Sequence, residues 1–269
     1  MKMEKLSCIT FNDYFAAVKS DSEMPYPRVC AHRGFNTVAP ENSMPAFGAA
    51  VAMGAEEIEF DLWFTKDGHI VSCHDSTLDR VSDGTGKIWE YTLEELKQFD
   101  FGAKKGPAFS GIKIPTFEDI LRKFSRQCIM NIHLKTMGEK PEYLDNVIKL
   151  IKKYGAEKHA YIMSGQDSVL ERLQREYPDI LRCCGAGNGK WEIVDRAIKY
   201  GCTKVQLFKE YFTKEMIDKA HENGIVCNYF FCDKAEITEQ MLDLGADVIL
   251  TNDYNRISQI VNKREKYML

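Results

Sequence analysis

Residues 57–75 read EIEFDLWFTKDGHIVSCHD. In the first run, Glu59 and Asp61 alternate with Ile58, Phe60 and Leu62, the period of two of a strand with unlike faces. The run HIVSCHD (69–75) reads as a second strand. Thr65-Lys66-Asp67-Gly68 joins the two, and Asp-Gly between alternating runs is a hairpin signal. The fold turns on how this hairpin is counted.

Outward from it, the chain alternates short apolar strands with helical patterns. VCAH (29–32) is followed by a helix with the apolar face Ala46, Phe47, Ala50 and Val51, ending at Gly54. Residues 76–116 interrupt the rhythm. They are rich in Gly, Ser, Lys and Asp, with one helical piece at TLEELKQF. Then FEDILRKF precedes IMNIHLK (129–135), EYLDNVIKLIKKYG precedes AYIMSG (160–165), and SVLERLQREY precedes ILRCCGAG (180–187). WEIVDRAIKYG precedes KVQLF (204–208), TKEMIDKAHENG precedes VCNYFF (226–231), and EITEQMLDLG precedes DVILTND (247–253). With the hairpin counted as one barrel position, eight strands alternate with helices. The expected fold is α/β, a (β/α)8 TIM barrel with a small insertion at 76–116 after strand two. The expected organisation is an N-terminal extension (1–26), the barrel (27–260) and a C-terminal tail (261–269). An open doubly wound sheet is the alternative, weakened by the lack of a Gly-rich nucleotide fingerprint.

Composition narrows the class. The 269 residues are 44% apolar with a net charge of −4, so no basic excess marks a nucleic-acid or anionic-membrane binder. The nine cysteines form no CxxC pair and read as reduced thiols. The N-terminus lacks the unbroken apolar stretch of a signal peptide, and none precedes the faintly lipoprotein-like Leu6-Ser7-Cys8. No window holds the roughly 18 apolar residues of a membrane helix. A soluble, cytoplasmic protein is expected; its oligomeric state is left open.

A barrel carries its active site at the C-terminal ends of its strands. His32 and Arg33 end strand one, Glu59 and Asp61 lie late in strand two, His74 and Asp75 end its hairpin partner, and His133 and Lys135 end strand three. All are expected at one mouth. Two acids on one strand face repel unless a cation lies between them, and oxygen ligands suit Mg²⁺, Ca²⁺ or Mn²⁺. Rim acids bonded to Lys or Arg are the structural alternative. His32 and His74 can exchange protons near neutral pH. Arg33 is a cationic fork for a phosphate or carboxylate, and Lys135 a point charge beside it. His133 is a third metal ligand or a polar core residue. Together these groups describe a site for hydrolysing an anionic ester, phosphodiesters above all.

The motifs His32-Arg33-Gly34, Pro40-Glu41-Asn42-Ser43, GAEEIEFDLWFTKDGHIVSCHDSTLDRVS, GTGKI, IPTFEDIL and GADVILTN, in this order, resemble the glycerophosphodiester phosphodiesterase family over roughly residues 27–255. The resemblance implies a (β/α)8 barrel that hydrolyses glycerophosphodiesters to glycerol phosphate and an alcohol. It implies His32 and His74 as the acid–base pair, Arg33 and Lys135 on the phosphate, Asn42 in support, and one divalent ion on Glu59 and Asp61. Helix capping is the plainer reading of Asn42. Three positions depart from the family pattern. His133 stands where the family has a metal-ligating Glu, which could shift preference from Mg²⁺ or Ca²⁺ toward Mn²⁺, Co²⁺ or Zn²⁺. Tyr229 takes the place of a Trp that walls the substrate alcohol. Strand eight ends Thr251-Asn252-Asp253 rather than Thr-Asp. Two further functions remain in view: a cyclising lysophospholipase D-like phosphodiesterase, which needs an exposed apolar face on the insertion, and a barrel that binds phosphate without turnover.

Overall fold

The computed structural model describes residues 19–135, 142–187, 189 and 191–269. Nine strands occur among them: β1 (Arg28–Ala31), β2 (Glu57–Phe64), β3 (Ile70–Ser72), β4 (Ile129–Leu134), β5 (Ala160–Ser164), β6 (Leu181–Cys184), β7 (Lys204–Phe208), β8 (Val226–Phe230) and β9 (Val248–Thr251). The helices are α1 (Met44–Ala52), α2 (Leu93–Leu96), α3 (Phe117–Phe124), α4 (Glu142–Lys153), α5 (Asp167–Glu176), α6 (Ile193–Lys199), α7 (Lys214–Glu222), α8 (Ala235–Leu244) and α9 (Tyr254–Val261).

Eight strands pair in parallel around a closed ring, β1-β9-β8-β7-β6-β5-β4-β2, shut by the β1–β2 pairing. The ninth, β3, is the antiparallel hairpin partner of β2, with Leu62 opposite Ser72. It stands outside the ring, so the barrel count of eight is met as expected. Apolar faces of the helices cover the barrel, as on α3, where Phe117, Ile120, Leu121 and Phe124 are buried and Thr116 caps the first turn. Among the described residues no helix is long and apolar enough to cross a membrane. Leu6-Ser7-Cys8 lies outside them.

The insertion after β3 builds a small core of its own. Leu78, Ile88, Leu96, Phe101 and Ile114 pack with Val71 and Cys73 of the hairpin, and Phe99 lies against them. These rings are spent on packing.

The inside of the barrel is unusually polar because alternate residues of several strands carry charge. At the floor Arg28 of β1 donates to Asp21 (2.8 Å) and Glu57 of β2 (3.0 Å), and Tyr161 of β5 donates to the other Glu57 oxygen (3.0 Å). Lys204 of β7 pairs with Asp21 at 3.0 Å. Asp21, in the expected N-terminal extension, thus takes part in the floor of the barrel. Without Asp21, two fully buried cations would share one carboxylate. Tyr267 of the expected tail pairs backbone to backbone with Tyr26 and closes the same end.

Candidate active site

The β1–α1 loop carries the first site residues on a constrained backbone. Arg33 and Asn42 adopt left-handed φ of 57° and 53°, each a strain of about 1–3 kcal/mol for a residue with a side chain. Gly34, at φ 78°, is packed so closely that a Cβ would lie 2.7 Å from the Ala46 carbonyl carbon. This loop aims Asn42 inward. Its amide donates to Asp61 Oδ2 (3.0 Å), while its oxygen accepts from the Asp61 N–H (3.1 Å) and Ser72 Oγ (2.9 Å). Capping of α1 falls to Ser43 instead, whose side chain accepts from the Ala46 N–H.

Glu59 and Asp61 project from one face of β2 and are fully buried. Asp61 faces His133 across the β2–β4 pairing, with Nδ1 at 2.9 Å, and Lys135 Nζ lies 2.8 Å from the same oxygen. Burial alone would raise Asp61, but the bond and charge of His133 and the charge of Lys135 outweigh it and hold the carboxyl far below its usual range. Glu59 is helped less, by the more distant charges of Arg33 and Lys135. It accepts the Arg33 backbone N–H at 2.9 Å, and burial together with the Asp61 charge pushes it well above the ordinary carboxylate range. Burial pushes His133 down, against the Asp61 bond.

This donor set suits a divalent cation. Ligand atoms of Glu59, Asp61 and His133 lie within 4.8 Å of one another, and the strand puts Glu59 beside the Asp61 charge, a repulsion that a cation between them would relieve. Arg33 Nε is buried without a hydrogen-bond partner among the described residues, 3.8 Å from Asp61 Oδ2. A second cluster, His221, Cys227 and Asp247, lies at the opposite end of the barrel. There the Asp247 oxygens already accept from His221 Nε2 (2.9 Å), the Cys227 N–H (2.6 Å) and Tyr267 Oη (2.5 Å), which makes it a structural network.

The two mouth histidines have unlike partners. His32 is buried, and its Nδ1 lies 2.8 Å from Asn252 Oδ1. Asp233 fixes the orientation of that amide by accepting from Asn252 Nδ2 at 2.8 Å, so His32 Nδ1 is the donor and Nε2 faces the site unprotonated. Burial, then the Arg33 charge, pushes His32 down to about 4. His74 is half-buried, and its Nδ1 lies 2.7 Å from the Asp75 carboxylate. Arg80, from the insertion, holds Asp75 (2.6 Å) and forks onto Glu41 (2.7 and 2.8 Å), which in turn binds Arg33 (3.1 Å).

His32, His74, Glu59, Asp61 and His133 thus line one cavity of about 180 Å³, with Phe208 and Phe230 on its far wall. Arg33, Lys135 and Asn42 contact the same acid pair. Tyr229 is not among these groups. Its side chain points outward from β8 and packs on Phe212 at 4.9 Å, under the helices. Alternation along β8 puts its neighbours Asn228 and Phe230 inside, so the apolar wall is Phe230, one residue on. Sequence reasoning gave Asn252 and Glu41 no role in the site and passed over Asp233 and Arg80. The extra residue in Thr251-Asn252-Asp253 was the visible signal for the first.

The chain matches the model of the glycerophosphoryl diester phosphodiesterase family over residues 32–256. It is 33% identical over 243 residues to a glycerophosphodiester phosphodiesterase of Caldanaerobacter subterraneus subsp. tengcongensis, covering 87% of this chain and 98% of that one. A glycerophosphodiester phosphodiesterase of Bacillus altitudinis is 28% identical over 244 residues, covering 87% and 97%. The fold superposes on an Oleispira antarctica phosphodiesterase solved with its product sn-glycerol-3-phosphate, at a TM-score of 0.81 and 23% identity, covering 88% and 97%. It also superposes on the Agrobacterium tumefaciens glycerophosphodiester phosphodiesterase, at 0.74 and 22%, covering 84% and 97%. A (β/α)8 barrel with paired histidines and paired acids at its mouth, and a family match over most of its length, assign this chain to the glycerophosphoryl diester phosphodiesterase family.

Proposed function

We propose that the protein hydrolyses glycerophosphodiesters to glycerol phosphate and an alcohol, with His32 as general base and His74 as general acid. The product seen on the Oleispira antarctica relative supports the glycerol phosphate assignment. The observation that carries the division of labour is the unequal partnering of the two rings. A neutral amide oxygen and burial keep His32 uncharged, with Nε2 free to take the proton of the attacking hydroxyl. The Asp75 carboxylate behind His74 Nδ1 fixes the ring so that its other nitrogen can give a proton to the departing alcohol oxygen. Arg33, with one N–H unspent, and Lys135 would bind the phosphate oxygens. A divalent ion held by Glu59, Asp61 and His133 would supply further positive charge to those oxygens. The two carboxylates suit Mg²⁺ or Ca²⁺, while the imidazole favours Mn²⁺, Co²⁺ or Zn²⁺.

The test compares a glycerophosphodiester of a simple alcohol with a p-nitrophenyl phosphodiester, whose leaving group needs no proton. His32→Ala should lose roughly 10²–10⁴ in kcat on both. His74→Ala should lose as much on the first and far less on the second. The reverse pattern would exchange the two roles, and full activity of either variant on the alcohol ester would overturn the mechanism.

A further inference from the structure

Alternate residues of the strands fill the interior of a barrel in layers. On β7 the inward residues are Lys204 at the floor, Gln206 in the middle and Phe208 at the mouth. Val205 and Leu207 between them pack outward under the helices. Register sets Asn131 of β4 beside Glu59 of β2, and Asn228 of β8 beside Gln206, so the middle layer carries three amides. All three are buried. Branched apolar side chains are the usual filling of such a layer.

Gln206 is the amide that meets the catalytic cavity, which it lines together with Glu59 and Met163. It reaches that place by spanning the barrel. β5 and β6 separate β7 from β4 in the ring, yet Gln206 Oε1 accepts from Asn131 Nδ2 at 3.1 Å. This bond orients the amide. With Oε1 turned to Asn131, the Nε2 hydrogens are left for the cavity. The layer also keeps unspent acceptors, since Asn131 Oδ1 and Asn228 Oδ1 are buried without a hydrogen-bond partner among the described residues. Buried amides left partly unpaired destabilise a fold, and packing alone does not explain them.

We propose that Gln206 is a specificity-determining residue that donates to a hydroxyl of the substrate's glycerol, with Asn131 as the residue that positions it. The inference rests on the hydrolytic reading above. Arg33 and Lys135 at the mouth suit the charged phosphate, whereas a neutral amide suits an uncharged hydroxyl. The size of the cavity chooses between the two ends of the diester. Its volume of about 180 Å³ is below the roughly 300–1,000 Å³ of sites for drug-sized ligands, so it takes a three-carbon polyol and leaves a bulkier alcohol outside.

The experiment compares glyceryl p-nitrophenyl phosphate with propyl p-nitrophenyl phosphate. The two esters share the phosphate and the leaving group and differ only in two hydroxyls. The unaltered protein should favour the glyceryl ester in kcat/KM. Gln206→Met keeps the length of the side chain, removes its donors and should cut that preference by about 10- to 100-fold. A preference that survives this change overturns the proposal. The double variant Asn131→Leu/Gln206→Met separates binding from packing, because both partners become apolar together. The preference should stay lost in it; recovery would make Gln206 a packing residue and overturn the proposal. Equal turnover of the two esters by the unaltered protein also overturns it and leaves the hydrolytic reading standing. Turnover of neither ester with any divalent ion overturns the hydrolytic reading. Calorimetric binding of sn-glycerol 3-phosphate and propyl phosphate then decides the role of Gln206 by itself. Tighter binding of the first, abolished by Gln206→Met, supports it, and equal binding overturns it.

Discussion

At the floor of the barrel and at its mouth the same strands carry buried charges, two to four residues apart. Arg28 and Glu57 lie at the floor; His32, Glu59 and Asp61 lie at the mouth. On the floor, two cations meet two carboxylates, and the remaining donors of Arg28 are spent on backbone carbonyls of Met24 and Pro25. Lys204 also donates to Tyr26 Oη at 3.0 Å. Every charge there is balanced, and the chain entry and exit seal the end. At the mouth Glu59 lacks a cationic partner in hydrogen-bond contact among the described residues, and Arg33 keeps an unpartnered N–H. A buried network that closes on itself fixes a fold, whereas one that stays open is arranged for something outside the chain.

The sharpest way to break this contrast is Glu59→Gln. The amide keeps the shape of the acid and removes its repulsion with Asp61, so stability without metal should not fall, while turnover should fall by about 10³ through the loss of ligand charge. Divalent ion should raise the melting temperature of the unaltered protein but not of the variant. A variant that still responds to metal and turns over normally would move the open end of the network elsewhere. At the floor Arg28→Met should do the opposite. It leaves Glu57 and Asp21 with Lys204 alone, so urea unfolding should show a loss of about 3–5 kcal/mol. Turnover per folded molecule should stay within about twofold. Lost activity in a fully stable variant would erase the distinction between the two ends.

A finer test probes the support of His74. Asp75→Asn can still accept the Nδ1 proton but removes the charge behind it. Turnover should fall about tenfold on substrates with alcohol leaving groups, and less on a p-nitrophenyl ester. Equal losses on both would make Asp75 a purely structural partner.

Periodicity carried the eight ring strands because each is separated from the next by a helix, and the Asp67-Gly68 turn announced the one strand that stays out of the ring. The mouth was legible because His32, Arg33, His74, His133 and Lys135 end or follow a strand, where a barrel puts its chemistry, and Glu59 and Asp61 share one face of β2, though in the structure they lie in its first five residues rather than late in it. Tyr229 was misplaced because a one-residue error along a strand exchanges inside for outside. The Asn252–Asp233 support of His32 spans separate loops, and the Arg80–Glu41–Arg33 chain joins the insertion to the β1–α1 loop. Neither leaves a periodic trace. The floor was invisible for the same reason: Asp21 lies before the first strand and Lys204 inside the seventh, and only closure of the ring brings them together.

The smallest expected effect separates the ends by pH. On the floor the Asp247 carboxylate, 2.9 Å away, raises His221 above its ordinary value near 6.5, with Asp218 also favouring and Lys214 opposing its charge. A histidine raised by folding stabilises fully below the unfolded value, and that contribution fades as pH rises through the folded value. Stability from this contact should therefore be greater at pH 6 than at pH 8.5. His221→Asn keeps a neutral donor and removes the titration. The difference in unfolding free energy between the two pH values should shrink by about 1 kcal/mol, a modest figure because the ring is partly open to water. An unchanged difference would mean that the Asp247 network owes its stability to the Cys227 and Tyr267 hydrogen bonds alone.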